Sequence, residues 1–422
     1  MSYSADATHD ADVLRPLVDR YLKVATDPIQ DQRRRLWADH FSLHPTRPPV
    51  LATFGMWNYW CQTVFGDDTL QCRSPVLREQ ERNLRMSLFH ASYADDTVFE
   101  PWLVVPAERG GHGWEDVWGV RIRTVQSAEP GGAFHFDPVI ANLDDDAKLV
   151  APVHIIDEAV TQSRVDEVRA AVDGLLPVAV DRAPRAINFM GDIITQLCRL
   201  RGLEQVMLDM YENPAWLHRV LAFMRDGILA SHAAAEAGGD FTLLDHHNQA
   251  MPYCHDLEWP RPDGGPRRCR QLWGFCAAQE MTLVSPAMHD EFVLQYQLPI
   301  MRRFGLMHYG CCEDLTRKID MLRQVPNLRS IAVTPVADVA ACAEQIGTDY
   351  AISWRPNPTD MVCAGWDELR IRRLIGEGLA ACRGGFPHIH LKDIETLQGD
   401  ITRLGRWVTI VRETIDLAWR DT

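Results

Sequence analysis

The feature of this sequence that most restricts its fold is the alternation of short apolar runs with helical segments in its second half. The alternating segments are 328–334, 336–346, 349–354, 366–382, 387–391 and 401–419. Apolar runs of four to eight residues are typical of buried strands, and apolar residues three and four apart are typical of amphipathic helices. Strands and helices that alternate with short loops predict a parallel sheet covered by helices, which is an α/β fold.

Weaker apolar runs earlier in the chain raise the number of predicted strands to about eight, which predicts a (β/α)8 TIM barrel. These runs are 49–55, 96–105, 178–180 and 241–247. A TIM barrel needs about 250 residues, whereas the chain has 422. We therefore expect an N-terminal helical extension over 1–48 and a TIM-barrel catalytic domain over 49–422. Glycines, prolines and two β-like segments indicate an inserted antiparallel β segment at about 110–146.

Composition and charge exclude several classes of function. A hydrophobic content of 46% and a charged content of 24% are ordinary for a soluble globular protein. The net charge of −15 argues against a nucleic-acid surface, which needs clustered Lys and Arg.

No apolar run reaches the roughly 18 residues of a membrane span, and we expect a cytoplasmic protein without membrane contact. The eleven cysteines are then expected to be free thiols or metal ligands.

Four side chains that can bind a metal follow the apolar run that begins at residue 304. They are His308, Cys311, Cys312 and Glu313. In α/β proteins, functional groups collect at the carboxyl ends of the strands. A mixture of thiol, imidazole and carboxylate suits a borderline-soft cation such as zinc. The alternative is that the cysteines are small buried hydrophobic residues.

Two other predicted strand ends carry titratable groups. In the last strand, His388 and His390 share one face at a spacing of about 7 Å, and His390 lies nearer the carboxyl end, where it could supply a nitrogen ligand. Hydrogen-bonded structural histidines are the alternative. Asp245 lies in the polar end of the predicted strand 241–247, and Glu280 follows an Ala-rich turn in the predicted loop 271–280. Each is a candidate general acid or base, with an orienting hydrogen bond or a salt bridge as the alternative role.

Aromatic residues near the predicted strand ends are candidates for substrate contact. Trp57 and Trp60 follow the first predicted strand, and Trp273 precedes Glu280 in a predicted loop. His247, at the end of the predicted strand 241–247, is the fourth candidate for substrate contact. Aromatic side chains at such positions are as typical of packing as of a substrate wall.

The second half of the chain carries a series of motifs shared with a known family. They are Gln279, Ser285-Pro286, Phe304-Gly-Leu306, Tyr309-Gly-Cys-Cys-Glu313, Ser353-Trp-Arg-Pro-Asn-Pro358, Leu391-Lys-Asp-Ile394 and Arg403-Leu-x-x-Trp407. With these motifs the chain resembles the uroporphyrinogen decarboxylase superfamily, and within it the decarboxylase-like branch related to cobalamin-dependent methyltransferases. The resemblance covers roughly the last 150 residues and otherwise only the order of elements. It implies a (β/α)8 barrel with a pocket at the carboxyl ends of the strands.

The resemblance also implies a zinc site. Methyltransferases of this superfamily that act with coenzyme M or a related thiol bind zinc through a His-x-Cys motif and a cysteine near the last strand. Cys311 matches the motif cysteine, whereas Tyr309 stands at the motif histidine and His308 lies one residue earlier. The place of the distal cysteine falls near His388 or His390. The expected metal ligands are His308, Cys311, Cys312 and His390.

One segment separates this chain from the true uroporphyrinogen decarboxylases. Those enzymes bind the substrate carboxylates through an arginine-rich segment that resembles Met-Arg-Gln-Ala-Gly-Arg-Tyr. The corresponding segment here, 54–60, reads Phe-Gly-Met-Trp-Asn-Tyr-Trp and contains no arginine. Since an anionic tetrapyrrole would lack its charge partners, we expect no turnover of uroporphyrinogen.

The leading expectation is a zinc-assisted methyl or alkyl transferase that acts on a thiol or exchanges a methyl group with a corrinoid protein. Zinc lowers the pKa of a bound thiol, so that the nucleophilic thiolate exists at neutral pH. Glu280 or Glu313 would serve as ligand or proton acceptor. No corrinoid-binding Asp-x-His-x-x-Gly segment is present in the sequence, so a corrinoid would come with a separate partner protein. The other expected partner is a small-molecule methyl donor or thiol acceptor.

Two alternatives remain open from the sequence. The first is a metal-independent decarboxylase of a small carboxylic acid, with Asp245 or Glu280 as the proton-handling group. The second is a catalytically silent barrel that serves as a subunit of a methyl-transfer complex. A homodimer is also left open.

Overall fold

The computed structural model describes residues 5–113, 115–129, 132–363 and 365–419. The strands are β1 (Val50–Ala52), β2 (Leu103–Pro106), β3 (Arg123–Gln126), β4 (Phe134–Asp137), β5 (Val178–Asp181), β6 (Trp273–Cys276), β7 (Leu306–Tyr309), β8 (Leu328–Val333), β9 (Ala351–Trp354) and β10 (Phe386–Leu391). The helices before β6 are α1 (Ala5–Ala25), α2 (Ile29–Phe41), α3 (Tyr59–Phe65), α4 (Pro75–Ala91), α5 (Glu158–Val172), α6 (Ile193–Arg201), α7 (Leu203–Glu212) and α8 (Pro214–Gly238). The later helices are α9 (Pro286–His289), α10 (Gln295–Met301), α11 (Ile319–Leu322), α12 (Val339–Ile346), α13 (Glu368–Ala381) and α14 (Arg403–Ala418). The chain therefore has an α/β fold.

The main sheet contains six parallel strands in the order β1-β10-β9-β8-β7-β6. Every residue of β6, β7 and β9 is buried, as is typical of a parallel sheet covered on both faces. Because all six strands run in one direction, their carboxyl ends meet at one edge. The residues that follow β1, β6, β7, β9 and β10 are thereby brought together.

The predicted closed (β/α)8 barrel is wrong for this chain. Within the described residues, the six parallel strands form a half-barrel sheet, and β2 and β5 pair separately as a two-stranded parallel sheet. The segment 241–247, predicted as a strand, makes a turn in which the Asp245 amide donates to the Thr242 carbonyl at 3.2 Å. It then lies along β6 through isolated hydrogen bonds, one of them from the His247 amide to the Trp273 carbonyl at 3.1 Å.

The other edge of the main sheet, at β1, is also not extended by a full strand. The side chain of Asp96 accepts a hydrogen bond from the Val50 amide at 2.8 Å, and that of Asp95 accepts from the Ala52 amide at 2.9 Å. These carboxylates satisfy the backbone donors that a neighbouring strand would otherwise pair. The segment predicted as a strand over 96–105 consequently becomes strand only at 103–106, where it pairs with β5 instead.

The N-terminal residues form two helices, separated at Thr26-Asp27-Pro28. Trp37 and Phe41 of α2 are fully buried in one apolar cluster with side chains from several strands of the main sheet. The strand residues of this cluster are Leu51, Trp273, Leu306 and Ala351. Helix α2 therefore shares a core with the main sheet. The division into an extension over 1–48 and a domain over 49–422 stays a prediction.

The remaining segments cover the sheet or project from it. Within the predicted insertion, β3 and β4 form an antiparallel pair. A π-helical turn over 290–294 joins α9 to α10, so the predicted helix at 285–304 is one interrupted helical segment. None of the helices in the described part of the chain combines the length and apolar character that a membrane crossing requires.

Candidate active site

The loop that follows β7 presents two adjacent cysteines at the carboxyl edge of the sheet. Gly310 has φ 99°, and a Cβ there would lie 2.7 Å from a side-chain carbon of Leu315, so this turn requires glycine. The buried carboxylate of Glu313 accepts hydrogen bonds from the amides of Cys311 at 2.7 Å and Cys312 at 3.0 Å. It also accepts from the Ala278 amide at 2.8 Å. Glu313, predicted as a ligand or proton acceptor, therefore holds the loop in shape.

The two thiols contact each other and differ in exposure. Their sulfur atoms lie 3.6 Å apart, and Cys311 is buried whereas Cys312 is exposed. The ammonium group of Lys392 lies 3.4 Å from the sulfur of Cys312 and also contacts the Asp393 carboxylate. Cys312 is therefore the solvent-facing thiol of the pair, with Lys392 beside it, and Cys311 is the inner thiol.

Cys311 has the lower pKa of the two thiols. The hydrogen bond from Cys312, helped by the positive charges of Arg355 and Lys392, lowers the pKa of Cys311 to about 6. The pKa of Cys312 is raised by its hydrogen bond with Cys311, by desolvation and by the negative charge of Cys311. A thiolate is the nucleophilic form of cysteine, so a pKa lowered in this way favours the nucleophilic form of Cys311.

Arg355 follows β9 and is buried beneath the cysteine loop. Its guanidinium donates to the Cys311 carbonyl, to Oε1 of Gln249 at 2.7 Å and to Nε2 of His308 at 3.1 Å. On the other side of the imidazole, Nδ1 of His308 lies 3.0 Å from the Ser330 hydroxyl. Both ring nitrogens of His308 are therefore occupied by protein partners.

The two histidines of β10 are buried and neutral. Burial, with positive charge nearby, places the pKa values of His388 and His390 well below the usual histidine range. His388 shares a 2.9 Å contact with His40, and Nε2 of His390 lies 2.8 Å from the Thr53 hydroxyl. Four polar atoms in this region are buried without a protein partner: Nε2 of His388, Nδ1 of His390, Nε of Arg355 and Oγ of Ser353. Buried polar atoms normally have a partner, so these four atoms keep hydrogen-bonding capacity that the described contacts do not use.

The predicted zinc ligands do not fit a zinc ion in this arrangement. In the described part of the chain, the three-ligand groups whose atoms lie within 4.8 Å of one another include none of these four residues. The guanidinium of Arg355 donates to His308, and the ammonium group of Lys392 contacts Cys312. Two cations at the donor atoms favour an anion over a metal ion. Zinc at Cys311 stays a prediction that this geometry does not support.

An acidic pair lies on the neighbouring part of the same edge. The Thr195 hydroxyl lies 3.2 Å from the Glu280 carboxylate and 3.3 Å from that of Asp192. Burial raises the pKa of Asp192 well above its usual value, and the negative charges of Glu280 and Glu313 add to the effect. Burial also raises the pKa of Glu280. Carboxyl groups with raised pKa values keep their protons to a higher pH than ordinary ones, so the pair can act as an acid.

An apolar wall borders the thiolate. Cys311 packs with Phe275 and Ala277 of the β6 region, and Phe189 packs against this cluster. The rings of Phe189 and Phe275 lie 5.0 Å apart between centroids, and Phe275 stacks on His308 at 6.0 Å. Phe189, Phe275 and Asp192 belong to no motif of the sequence, and Arg355 stands in the Ser353–Pro358 motif without a predicted role. The only local signal for Asp192 is its position as the N-cap of α6.

The remaining predicted site residues have other partners. Trp57 is 69% exposed, whereas Trp60 is buried and donates to the Ile394 carbonyl at 2.8 Å. Trp273 is buried against Phe41. These two buried tryptophans therefore serve packing.

Asp245 and His247 belong to the segment beside β6. Asp245 accepts a hydrogen bond from the Thr242 amide at 2.6 Å, and burial, with the charge of Asp181, raises its pKa to about 7. His247 is half-buried, and burial lowers its pKa to about 4. Neither makes a hydrogen bond to the cysteine loop among the described contacts.

Comparison with known proteins finds no family model and no curated protein that matches this chain. The resemblance to the uroporphyrinogen decarboxylase superfamily accordingly stays a prediction. The function is inferred from the geometry of the site.

Proposed function

We propose that this protein is a group-transfer enzyme whose nucleophile is the thiolate of Cys311, acting on a small anionic substrate without zinc at this position. The observation that carries the proposal is the hydrogen-bonded pair of Cys311 and Cys312 with Arg355 and Lys392 beside it. The hydrogen bond and the two cations stabilise the thiolate, which is the task that zinc was expected to perform.

The chemistry of the thiolate favours acyl transfer over the predicted methyl or alkyl transfer. In the first step, the sulfur of Cys311 supplies the electron pair of a new bond to a carbonyl carbon. The bond from that carbon to the leaving group then breaks, and the leaving group departs with its electron pair. A thiol of low pKa is a good leaving group, so a second nucleophile can take the acyl group and restore the thiolate. A methyl thioether at Cys311 would not be released in this way.

The groups around Cys311 fit a substrate with an apolar body and a negative charge. Phe189 and Phe275 supply the apolar surface. Lys392 and the unpartnered Nε of Arg355 supply positive charge for a substrate carboxylate or for the oxyanion that forms during acyl transfer. The exposed Cys312 lies on the open side of the loop, where a substrate would enter.

A second candidate is decarboxylation of a small acid, which the acidic pair of Asp192 and Glu280 favours. Loss of carbon dioxide leaves the electron pair of the broken carbon–carbon bond on carbon. A carboxyl group whose pKa is raised by burial can supply the proton that this carbon needs. In this reaction, Glu280 would be essential and Cys311 would be dispensable.

The test uses a 4-nitrophenyl monoester of a short dicarboxylic acid as the acyl donor. At pH 7.5 we expect a burst of about one nitrophenolate per chain and a mass increase of one acyl group at Cys311. Cys311→Ser should abolish both, whereas Cys312→Ser and Glu280→Gln should retain the adduct. The proposal would be overturned if acylation were unchanged in Cys311→Ser, or if no adduct formed at all. The remaining alternatives would then be a decarboxylase and a catalytically silent subunit.

A further inference from the structure

A second cluster of ligating side chains lies where α2 ends, away from the cysteine loop. It contains Asp39, His44 and His255. Nε2 of His255 lies 2.8 Å from Oδ1 of Asp39, and Nδ1 of His44 lies 3.8 Å from the same oxygen. One ligand atom from each residue lies within 4.8 Å of the other two. Three donors from two distant segments therefore converge on one point.

The backbone holds these side chains in place by contacts of its own. Leu43 adopts a left-handed conformation, with φ 58°, just beyond the end of α2, as is typical of the residue that terminates a helix. The turn lets the His44 amide donate to the Asp39 carbonyl at 2.9 Å. The His255 amide donates to the Ser42 hydroxyl at 2.8 Å. Both imidazoles are thus tied to the end of α2.

The spacing of the donor atoms fits a tetrahedral ion. Zinc bonds of about 2.0–2.1 Å place tetrahedral ligands about 3.3 Å apart, and the two measured separations from Oδ1, 2.8 and 3.8 Å, lie on either side of this value. Two imidazoles and one carboxylate are a ligand set for zinc and related transition metals, not for magnesium or calcium.

The surroundings also permit a cation. The side chains of Asp39, His44 and His255 are 45%, 60% and 49% exposed, which leaves room for water as a fourth ligand. Arg329, beside the end of α2, donates to the Phe41 carbonyl at 2.5 Å and pairs with Asp256 at 2.6 Å. Its charge is therefore neutralised by a carboxylate outside the three-residue cluster.

We infer that Asp39, His44 and His255 bind one zinc ion, which fastens the end of α2 to the segment that contains His255. This site is independent of the proposed thiolate chemistry. It also reassigns the metal: zinc carried by this protein lies at two imidazoles and a carboxylate, not at Cys311. The ion would stabilise the packing of α2 against the sheet, because it binds the folded arrangement only.

The experiment titrates the chelator-stripped full chain with zinc against a chromophoric zinc indicator. We expect about one zinc per chain and a rise in Tm on addition of zinc. His44→Ala and His255→Ala should each weaken binding by about 10-fold or more. The matched controls are His135→Ala, an exposed histidine on β4, and Cys311→Ser, both of which should bind zinc as the parent does.

Cobalt identifies the ligand type directly. A thiolate ligand adds a sulfur-to-cobalt charge-transfer band in the near ultraviolet, and we expect the cobalt-loaded protein to lack it. Loss of zinc in Cys311→Ser, a thiolate band with cobalt, or absence of stoichiometric binding would each overturn the inference. Asp39→Ala provides a second variant, and circular dichroism of every variant ensures that loss of metal is not loss of fold.

Discussion

The guanidinium of Arg355 donates a hydrogen bond to Nε2 of His308 over 3.1 Å. The same nitrogen lies 3.1 Å from the Gly310 carbonyl, and Nδ1 lies 3.0 Å from the Ser330 hydroxyl. Each ring nitrogen that a metal ion would need is therefore already engaged by the protein. These contacts change the role of His308 from a predicted zinc ligand to a support for Arg355.

The first prediction concerns the hydrogen bond between the two thiols. We expect the pH profile of Cys311 alkylation by iodoacetamide to have its midpoint near pH 6, because the bond from Cys312 is the largest cause of the lowered pKa. Cys312→Ala removes the donor and should move the midpoint up by at least one pH unit, a change of about 1.4 kcal/mol.

Cys312→Ser is the matched control, since its hydroxyl can still donate. Its midpoint should lie closer to that of the parent than to that of Cys312→Ala. Equal midpoints in the parent and Cys312→Ala, read by mass spectrometry of the labelled peptide, would show that the thiol pair does not determine the pKa.

The second prediction concerns the carboxylate that shapes the cysteine loop. Glu313 is buried and accepts three backbone hydrogen bonds. Glu313→Gln replaces one acceptor oxygen by a donor that faces backbone N–H groups, and we expect the free energy of unfolding to fall by about 2–4 kcal/mol. Urea denaturation measures the loss.

Glu395→Gln, at an exposed carboxylate on the same edge of the sheet, is the control and should change the stability by less than about 0.5 kcal/mol. If Glu313→Gln is equally harmless, the carboxylate does not hold the loop. It would then again be a candidate for proton transfer.

The third prediction concerns stability against pH. Burial lowers the pKa values of seven fully buried histidines: His40, His232, His246, His289, His308, His388 and His390. The folded protein keeps them neutral, whereas the unfolded chain binds protons at these sites below about pH 6.5. Their contribution to stability is therefore present above about pH 6.5 and is lost as the pH falls towards the folded-state values.

Three buried carboxyls oppose this effect. The pKa values of Asp192, Asp245 and Glu280 are raised in the folded state, so these carboxyls keep their protons there. In the unfolded chain the same groups release their protons above about pH 4. Because more groups gain protons on unfolding than lose them, we expect a net proton uptake and a free energy of unfolding that falls with a clear slope as the pH decreases below about 6.5. Urea midpoints between pH 7.5 and 5 give this slope.

A pair of variants checks the origin of the slope. His289→Phe removes one buried imidazole and should lower the proton uptake by about one, whereas His135→Phe, at an exposed position, should leave it unchanged. A stability that does not vary between pH 7.5 and 5 would contradict the prediction.

The sequence by itself determined the elements of the second half of the chain. The segments predicted at 328–334, 349–354 and 387–391 are β8, β9 and β10, and the helices predicted between and after them are α12, α13 and α14. Hydrophobic periodicity is local, so it indicates each element without knowledge of its neighbours. The position of the cysteine pair directly after a strand was likewise predicted from local order.

Only the tertiary structure decided how the sheet ends. The apolar runs at 96–105 and 241–247 also predict strands. Asp95 and Asp96 nevertheless satisfy the edge of β1 with side chains, and the segment beside β6 turns at Asp245. Apolar content does not specify which polar group will bind a strand edge, so closure of the barrel could not be derived from it.

The tertiary structure also decided the charge around Cys311. Arg355 comes from the end of β9 and Lys392 from the end of β10, and parallel pairing of these strands with β7 and β8 brings both cations to the thiols. The residues are 44 and 80 positions away from their cysteine partners. Spacing along the chain shows which groups follow strands. Only the order and register of the strands determine that Arg355, Lys392 and Asp393 meet the cysteine pair.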